Sequence, residues 1–381
     1  MFPWGGFAHR MSAHLTPTVL HYSGADNDAG GIVSVVRALA ASGRFACVLG
    51  VSPGFKQRRV PPLSTLSFPR VRAEVIGVET WWRTWAVARE VRAWLAADPT
   101  RVFHAHSRAG LLVALHLVTA GEPRVVASVH CYGRQRWFYR HAQRRLGRRL
   151  FWLSPAMKRH YEVGSEGWEQ CIPGSVTESP AASAGPRGRA AGQLRLGGIG
   201  LLVAWKGWHD VLAALAGLPA AVRAQVSFRH IGSPDTTAAS HAYARQLYEQ
   251  TTTLGLQDRV SWLGEQPNSE GFLGTVDALV LPSQSEPLSM ALLEALRAGV
   301  PVLAADSGGP VDILRAGETG WFFRTGDAAD LARSITTLAT TDALERIVIT
   351  PEMIRPFTAP VIAARWAEVY AGLPKPPTAS H

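Results

Sequence analysis

The chain has 381 residues, more than one ordinary domain usually contains, so its length favours two domains that share a cleft. Charged residues make up 18% and hydrophobic residues 47% of the sequence. This balance excludes an intrinsically disordered protein and fits compact units with buried cores. The three cysteines lie far apart without a C-x-x-C spacing. This small number and wide spacing exclude a disulfide framework and a thiolate zinc site, and they favour a reducing, cytoplasmic compartment.

The net charge of +10 is unevenly distributed along the chain. Residues 1–190 contain 25 basic and 11 acidic side chains, a net charge of +14, whereas residues 191–381 contain 14 and 18, a net charge of −4. The basic half favours an anionic partner such as a lipid surface, a phosphorylated acceptor or nucleic acid. No uncharged stretch reaches the roughly 20 apolar residues that a membrane-spanning helix needs. Met1 to Leu15 lack the pattern of a signal peptide, and residues 1–16 are predicted to form a flexible tail.

Short apolar strands alternate with helical stretches in the first half of the chain. The strands are predicted at Thr18 to Tyr22, Arg101 to His104 and Arg124 to His130. The helices are predicted at Ile32 to Ala41, Trp81 to Ala97 and Ala109 to Ala120. This β-α-β alternation predicts a domain with a parallel sheet over residues 17–178.

A segment rich in proline, glycine, alanine and serine follows Cys171 and predicts a linker over residues 179–193. The same alternation then resumes and predicts a second doubly wound domain over residues 194–354. Its predicted strands are Leu194 to Ile199, Gln225 to Ile231, Val260 to Leu263 and Ala278 to Leu281, and its predicted helices include His209 to Leu218 and Ser240 to Leu254. A helix over residues 355–373 and a tail over residues 374–381 complete the chain.

The segment from Leu281 to Val302 has the pattern of a strand, a loop, a helix, a tight turn and a strand. Ser285 is predicted to cap the helix, with Pro287 in its first turn. The backbone N–H groups of Leu288 and Ser289 would then point out of the positive end of the helix. Such a helix start is an anion site suited to a diphosphate.

Two carboxylates lie in the same segment, Glu286 at the predicted mouth of the helix and Glu294 eight residues later. If both lay along one helix, they would be about 12 Å apart along its axis. Such a pair could contact opposite ends of an extended ligand. The spacing alone is a weak signal, so its sequence context decides its meaning.

The context is two glycine-rich segments that follow in order, Ala305 to Leu314 and Gly317 to Asp327. Together with the E-x7-E pair, they make the chain resemble the large retaining glycosyltransferase family four, also called the group 1 glycosyltransferases. The resemblance extends from about Pro17 to Leu373 and is most specific over residues 280–330. It implies the GT-B architecture, in which two Rossmann-like doubly wound parallel-sheet domains face a cleft and a C-terminal helix crosses back to the first domain.

The resemblance also implies roles for residues of the second domain. Glu286 would contact hydroxyls of the donor sugar, and Glu294 would contact the ribose of the nucleotide. Gly200 and Lys206 resemble the family's G-x5-K-G element, in which the lysine binds the leaving diphosphate as a point charge. The family usually has an arginine directly after the first glycine, whereas this chain has Leu201, so one of two expected phosphate-binding cations is missing.

In the first domain, Gly30 and Gly31 lie between a predicted strand and a predicted helix. Their missing Cβ atoms would let a ligand approach the backbone, and the family has a glycine loop there that faces the donor phosphate and the acceptor. His130 follows a strand in a segment that resembles the family's T-x-H-G strand end, where the histidine faces the reacting sugar. Two residues separate His130 from the next glycine, whereas the family has none.

Two patterns in the first domain resemble metal sites. Asp26-Asn-Asp28 is a D-x-D, which holds a divalent metal in the other main glycosyltransferase fold. Here it precedes the glycine pair, so we expect acceptor contact or loop solvation instead. His104 and His106 lie on one face of a strand, yet no third Asp, Glu or Cys ligand is recognisable nearby. The sequence therefore predicts no metal site.

A run of arginines without an acidic residue extends from Arg134 to Leu150 and includes the aromatic segment Trp137 to Tyr139. Arginine with aromatic residues suits docking on an anionic membrane or binding of an anionic acceptor. The alternative is an ordinary solvated basic helix. No recognition motif accompanies the run, so we expect no nucleic-acid partner. The seven arginines are Arg134, Arg136, Arg140, Arg144, Arg145, Arg148 and Arg149.

The sequence thus predicts a retaining glycosyltransferase that needs no metal or other cofactor and uses a nucleotide-diphosphate sugar, with UDP or GDP, as its donor. The acceptor is expected to be a glycan or a lipid-linked saccharide of the cell surface. The enzyme would be cytoplasmic, with peripheral attachment to the membrane through Arg134 to Arg149. A non-catalytic nucleotide-sugar binder and a sugar-nucleotide epimerase of the same fold remain as alternatives. The first is motivated by Leu201 and the altered loop after His130.

Overall fold

The computed structural model describes residues 17–27, 31–57, 61–69, 71, 76–164, 167–177, 192–266 and 268–374. The chain divides into two compact units, one of residues 1–178 and 356–381 and the other of residues 179–355. The predicted tail over residues 1–16 lies outside the described residues, as do most of the predicted linker and residues 375–381. Among the described helices, none is both long enough and apolar enough to cross a membrane.

The first unit contains a sheet of six parallel strands in the order β3-β2-β1-β4-β5-β6. The strands are β1 Thr18–Asn27, β2 Ala46–Lys56, β3 Ser64–Ser67, β4 Val102–Ala105, β5 Val125–Val129 and β6 Leu150–Trp152. The helices are α1 Gly31–Ala41, α2 Val78–Ala96, α3 Arg108–Thr119, α4 Arg136–Leu146 and α5 Pro155–Tyr161, with a 3-10 turn at Gly147–Arg149.

The second unit contains another six-stranded parallel sheet, in the order β12-β11-β10-β7-β8-β9. Its strands are β7 Leu194–Ile199, β8 Val226–Ile231, β9 Val260–Trp262, β10 Ala278–Leu281, β11 Val302–Ala305 and β12 Gly320–Phe323. Its helices are α6 Trp208–Ala216, α7 Ala220–Arg223, α8 Ala238–Thr253, α9 Ser269–Leu273, α10 Met290–Arg297, α11 Pro310–Ile313, α12 Ala328–Thr340 and α13 Pro351–Ile354, with a 3-10 turn at Ala204–Lys206.

The last helix, α14 Ala359–Ala371, follows a 3-10 turn at Arg355–Phe357 and packs on the sheet of the first unit. Trp366 and Tyr370 are buried there together with Val19, Val102 and Val126 of three neighbouring strands. These two aromatic residues lie four positions apart, so they share one face of the helix. Their burial shows that α14 is amphipathic and turns this face to the sheet of the first unit.

Central strands such as β4, β5, β10 and β11 are buried on both faces, as expected where helices cover both sides of a parallel sheet, whereas the edge strand β3 is mostly exposed. In the second unit, Leu196 and Val280 of the sheet pack with Trp208 of α6 and with helix α12. Two parallel sheets of this kind confirm the predicted fold class. The predicted positions of the main strands and helices are correct to within a few residues, except for α10, whose start is described below.

Candidate functional site

The second sheet changes its direction of growth between β7 and β10. From β7 the chain adds β8 and β9 on one side, and then returns to place β10, β11 and β12 on the other side. In open α/β sheets, ligands bind at the carboxyl ends of the strands where this change occurs. Lys206 follows β7 and Glu286 follows β10, so they come from the two strands that flank this point.

Lys206 and Glu286 form an ion pair. The Nζ atom of Lys206 donates a hydrogen bond to Oε2 of Glu286 at 2.5 Å, and the two side chains are 13% and 10% exposed. The hydroxyl of Ser283 donates to the same carboxylate oxygen at 3.0 Å. Lys206 Nζ also lies 4.7 Å from the ring centroid of Trp205, a cation–π contact. The pair is therefore largely shielded from water and held from several sides.

The turn that carries Lys206 is fixed against the loop after β10. The backbone N–H of Gln284 donates to the carbonyl of Trp205 at 2.9 Å. Gly207 has a positive φ of 74°, and a Cβ atom there would lie 2.2 Å from the carbonyl oxygen of Pro282. A residue with a side chain would have to push the two loops apart. Glycine at this position thus allows Lys206 to reach Glu286.

Helix α10 begins later than the sequence predicts. Its first residue is Met290 and its N-cap is Ser289, whose hydroxyl accepts a hydrogen bond from the N–H of Leu292. The prediction that Ser285 caps the helix, with Pro287 in its first turn, is therefore wrong. Leu288 and Ser289 lie in the loop before the helix, so their N–H groups do not belong to its first turn.

The late start has a tertiary cause. The backbone N–H of Gly309 donates to the carbonyl of Glu286 at 2.7 Å. Gly308 has a positive φ of 65°, and a Cβ atom there would lie 2.1 Å from the same carbonyl oxygen. The glycine pair after β11 thus holds the loop before α10 in a non-helical conformation. Ser289 closes the loop with a φ of 74°, a strained value for a residue with a side chain.

Glu294 lies inside α10, one turn after the helix start, whereas Glu286 lies in the preceding loop. The predicted spacing of about 12 Å along one helix therefore does not apply. Burial raises the pKa of Glu294, and a hydrogen bond from Ser269 and the charge of Arg297 oppose this shift. Its side chain is half-buried, so it can still meet a ligand.

Gly200 and Leu201 begin the loop after β7. The N–H of Gly200 donates to the carbonyl of Ile231 at 3.1 Å, which ties this loop to β8. The side chain of Leu201 is exposed, at the position where the resemblance to the family predicts an arginine. Arg324 is a candidate to replace this missing cation, and its side chain forms ion pairs with Asp327 and Asp330.

In the first unit, Gly31 is the first residue of α1 and is exposed. A Cβ atom added to it would have no neighbour within 4 Å. Gly30 and Asp28 lie outside the described residues, and Asp26 lies near the end of β1. The roles predicted for the glycine pair and for the D-x-D pattern remain predictions.

His130 directly follows β5 and is joined to other histidines. Its Nε2 lies 2.9 Å from Nδ1 of His106, and Nε2 of His106 lies 2.9 Å from Nδ1 of His21. The switch point of the first sheet lies between β1 and β4, and His21 and His104 are direct partners across these two strands. Four histidines thus gather at the carboxyl end of this sheet.

The sequence reasoning about His104 and His106 considered only carboxylate and thiolate ligands near them, and it missed His21. Nitrogen atoms of these three buried histidines lie within 4.8 Å of one another. Imidazole nitrogen is a ligand type that zinc, copper and nickel accept. Both nitrogens of His104 already have hydrogen-bond partners, the hydroxyls of Tyr370 at 2.7 Å and Ser128 at 2.8 Å.

Burial keeps these imidazoles neutral. It lowers the pKa of His21 to about 3 and the pKa of His130 to about 4. The pKa values of His104 and His106 are also lowered, first by burial and then by the neighbouring histidines. At neutral pH each of these imidazole rings is therefore uncharged and has one N–H group.

His230 is a buried residue of the second unit whose ring the sequence analysis did not single out. It lies at the end of β8, with its ring centroid 4.4 Å from that of Trp208 and 5.2 Å from that of Trp262. Burial and, second to it, the charge of Lys206 lower the pKa of His230 to about 3. This electrostatic effect of Lys206 depends on the folded arrangement, so no local sequence signal could have found it.

Comparison with known proteins agrees with this geometry. Residues 188–349 match the family model described as glycosyl transferases group 1. The lipopolysaccharide core biosynthesis glycosyltransferase LpsE of Rhizobium meliloti is 33% identical over 146 residues, which are 38% of this chain and 39% of that protein. The chain spans less than two fifths of the length of the curated relatives it matches.

Solved structures resemble the chain over nearly its whole length. HepE of Anabaena in complex with UDP and glucose has a TM-score of 0.72 and 19% identity, with coverage of 94% of this chain and 100% of that one. Sucrose-phosphate synthase of Thermosynechococcus elongatus has a TM-score of 0.74 and 19% identity, with coverage of 93% and 98%. These likenesses establish the fold. Residues 188–349 thus resemble the glycosyl transferases group 1, and the two parallel-sheet units have the GT-B fold.

Proposed function

We propose that the chain is a retaining, metal-independent glycosyltransferase that moves a sugar from a nucleotide-diphosphate sugar to an acceptor hydroxyl. The acceptor is a glycan or lipid-linked saccharide in the synthesis of cell-surface polysaccharide. The match of residues 188–349 to the glycosyl transferases group 1 supports the reaction class. The name of the LpsE relative supports the kind of acceptor.

One observation carries the proposal, the pairing of Lys206 with Glu286 at the switch point of the second sheet. A sugar nucleotide has an anionic diphosphate joined directly to a ring rich in hydroxyl groups. A lysine suits the diphosphate, and an adjacent carboxylate accepts hydrogen bonds from sugar hydroxyls. The two side chains therefore match the two parts of the donor on either side of the bond that breaks.

In the proposed reaction, the bond between the anomeric carbon and the diphosphate oxygen breaks. The acceptor oxygen bonds to the same face of that carbon, which retains the configuration. The acceptor proton passes to the leaving diphosphate, so no protein side chain has to act as a general base. Lys206 stabilises the negative charge that develops on the diphosphate, and this electrostatic effect is the main contribution of the protein.

The remaining predicted residues take supporting roles in this proposal. Glu294 binds the ribose of the nucleotide, and His130 of the first unit faces the reacting sugar. At six further positions the backbone either lets the donor approach closely or donates hydrogen bonds to its phosphates. These positions are Gly30, Gly31, Gly200, Pro287, Leu288 and Ser289.

The nucleotide of the donor is proposed to be UDP or GDP. HepE, which shares the fold, has been solved with UDP, with UDP-glucose, and with UDP and glucose. A thermal-shift panel of UDP, GDP, ADP, TDP and their common sugars tests the choice. Ligand at about 100 times its dissociation constant stabilises a fold by roughly 2.7 kcal/mol, which such a panel detects.

The panel includes Glu294→Ala and a matched control, Glu249→Ala, which removes an exposed carboxylate from α8. We expect one nucleotide to stabilise the wild type and the control, but not Glu294→Ala. Equal stabilisation of all three proteins would contradict the role of Glu294. No shift with any nucleotide would count against a donor site in the second unit.

Product analysis by mass spectrometry and NMR separates the proposal from its alternatives. A transferase releases free nucleotide only as sugar appears on an acceptor, with retained configuration. A non-catalytic binder releases none, even with lipid and glycan extracts, and an epimerase interconverts donors without an acceptor. If transfer continues after treatment with EDTA, the reaction needs no metal, as proposed. If EDTA abolishes transfer and added Mg²⁺ or Mn²⁺ restores it, the proposal of a metal-independent reaction is contradicted.

We further propose that the first unit docks on an anionic membrane through α2 and α4. Trp137 of α4 and Trp82 of α2 are 59% and 62% exposed. The N–H of Ile76, just before α2, donates to the side chain of Gln135, just before α4, at 3.3 Å, so the two helices begin side by side. Exposed tryptophan beside arginine suits the interface of an anionic bilayer.

The arginine run is not uniform. Arg136 and Arg140 both form ion pairs with Glu162, so their charge is partly used within the fold. Arg144 and Arg148 are exposed. Near an anionic membrane surface each basic side chain contributes about 1 kcal/mol to the free energy of membrane binding.

Flotation with vesicles tests the docking surface. We expect the wild type to float with phosphatidylglycerol vesicles at low salt and not with neutral phosphatidylcholine vesicles. The double variant Arg144→Glu/Arg148→Glu and the variant Trp82→Ser should float less, whereas Arg245→Glu, on the exposed side of α8, should behave as the wild type. Absence of wild-type flotation, or equal loss in the Arg245→Glu control, would remove this part of the proposal.

A further inference from the structure

Three histidines of the first unit form a continuous hydrogen-bonded line. His130 Nε2 meets His106 Nδ1 at 2.9 Å, and His106 Nε2 meets His21 Nδ1 at 2.9 Å. His21 and His106 are buried, whereas His130 is half-exposed. The line therefore runs from a position that solvent can reach to a fully buried ring.

The protons on this line can be counted. Burial lowers the pKa values of all three rings well below neutral, so each is uncharged and has one N–H. Two of the three N–H groups are used in the two hydrogen bonds between rings. The third must lie at one end of the line, on Nε2 of His21 or on Nδ1 of His130.

The two ends have different surroundings. Nε2 of His21 is buried and has no hydrogen-bond partner in the part of the chain that the structure describes. A buried N–H without an acceptor is among the rarest unpaired groups in proteins, because it loses its bond to water and gains nothing. The half-exposed ring of His130 can place an N–H in contact with water or a ligand.

We propose that His106 and His21 act as positioning residues that fix His130 in a single tautomer, with its proton on Nδ1. His21 Nδ1–H donates to His106 Nε2, and His106 Nδ1–H donates to His130 Nε2. The buried end of the line then has a bare lone pair and the exposed end has the free N–H.

This arrangement has a consequence for chemistry at His130. A neutral imidazole with Nδ1–H free and Nε2 occupied donates a hydrogen bond and has no lone pair left to accept a proton. His130 would thus donate to an oxygen atom of the sugar or phosphate and would not act as a base. This consequence rests on the proposed function, whereas the tautomer itself does not.

A metal ion at His21, His104 and His106 would be incompatible with this line. It would have to take one nitrogen of His106 from His21 or His130, and one nitrogen of His104 from Tyr370 or Ser128. The observed contacts give five of the six nitrogens of these three rings a partner without a metal. The hydrogen-bonded line therefore accounts for the cluster more completely.

The test is NMR of the free protein, labelled with 15N in the histidine rings, at pH 7. We expect His130 to show a protonated Nδ1 and an unprotonated Nε2. A coupling across the hydrogen bond should join His106 Nδ1 to His130 Nε2, with the proton attached to His106. No substrate is needed, so the result does not depend on the donor panel.

Variants at position 106 test the positioning role. His106→Leu removes the donor to His130, and we expect the 15N shifts of His130 to change to those of a ring that exchanges its proton between both nitrogens. His106→Asn places an amide N–H near the former Nδ1 and should restore the wild-type tautomer. His116→Asn, a change at a histidine that contacts Trp81 and Thr84 outside the line, should leave the shifts of His130 unaltered.

Three results would overturn the proposal. The first is a wild-type His130 protonated on Nε2, and the second is an unchanged His130 spectrum in a folded His106→Leu variant. The third is a stoichiometric metal in the purified protein that is lost on chelation together with a change in these shifts.

Discussion

The ammonium of Lys206 and the carboxylate of Glu286 are 2.5 Å apart and depend on each other for compensation of charge. Each is shielded from water, so the cost of desolvating the two charges offsets much of their attraction. Such a pair adds little net stability, but removing one partner leaves a buried charge without compensation. A donor diphosphate that binds Lys206 would supply a second partner for the same cation.

Lys206→Ala should lower the rate of transfer by roughly 10²- to 10³-fold, as does loss of a single group that stabilises an oxyanion. It should also lower the free energy of unfolding by about 3 kcal/mol, because Glu286 is left unpaired. Initial rates with a saturating donor and chemical denaturation measure the two effects. Far-UV circular dichroism checks that the variant remains folded. Wild-type turnover would contradict the assignment of Lys206.

The double variant Lys206→Met/Glu286→Gln removes both charges at once. We expect its loss of unfolding free energy to be smaller than the sum of the losses of Lys206→Met and Glu286→Gln. The difference, the coupling energy, should be about 0.5 to 3 kcal/mol. The four unfolding curves of a double-mutant cycle measure this energy. Strictly additive losses would mean that the two side chains do not interact in solution.

Gly207→Ala should be much more damaging than Gly326→Ala, although the two glycines have φ angles of 74° and 73°. A Cβ atom at Gly326 has no neighbour within 4 Å, so this change costs only the left-handed backbone conformation, about 1 kcal/mol. At Gly207 the same atom would lie 2.2 Å from the carbonyl of Pro282 and force the two loops apart. We expect a loss of about 3 kcal/mol in urea denaturation, and equal losses at both positions would contradict the proposed close approach.

The strands of the second sheet were predictable because a buried parallel strand is a short, continuous apolar run between turn residues. Leu194–Ile199 and Ala278–Leu281 begin and end where the sequence predicts. The start of α10 was not predictable from local signals. Its position depends on the contact between Gly309 and Glu286, which distant segments of the chain bring together.

The histidine cluster illustrates the same limit. His104 and His106 are visible as a pair on one strand, but His21 is 85 positions before His106. Only the pairing of β1 with β4 places His21 beside His104 and His106. Lys206 and Glu286, in contrast, were recognisable because each lies within a segment that resembles a motif of the family, although the sequence did not predict their ion pair.

Tyr370→Phe should destabilise the first unit. The hydroxyl of Tyr370 lies 2.7 Å from Nδ1 of His104, and both residues are buried. Without the hydroxyl, this nitrogen has lost its partner, at a cost of about 1 to 3 kcal/mol. Tyr248→Phe, which removes a hydroxyl from the exposed face of α8, is the matched control and should have little effect on the urea midpoint. A loss in the control as large as that in Tyr370→Phe would contradict the buried hydrogen bond.

His230→Phe should weaken the dependence of stability on pH. The pKa of His230 is lowered to about 3 in the folded protein, whereas an unfolded histidine has a pKa of about 6.5. Between these values the unfolded state binds more protons at this residue, so the contribution of His230 to the free energy of unfolding rises as pH rises from about 3 to about 6.5 and is constant above this range. Removing the imidazole should reduce the slope between pH 4 and 6 by up to about 1.4 kcal/mol per pH unit.

The replacement should be well tolerated at pH 7. Neither ring nitrogen of His230 has a hydrogen-bond partner among the described residues, and the ring contacts Trp208, Phe228 and Trp262. An apolar ring of similar size can therefore occupy the site without leaving a polar group unpaired. Urea denaturation at several pH values measures the slope, with His241→Asn at an exposed position as the control. If His230→Phe has the same slope as the wild type, this imidazole is not held neutral in the folded protein.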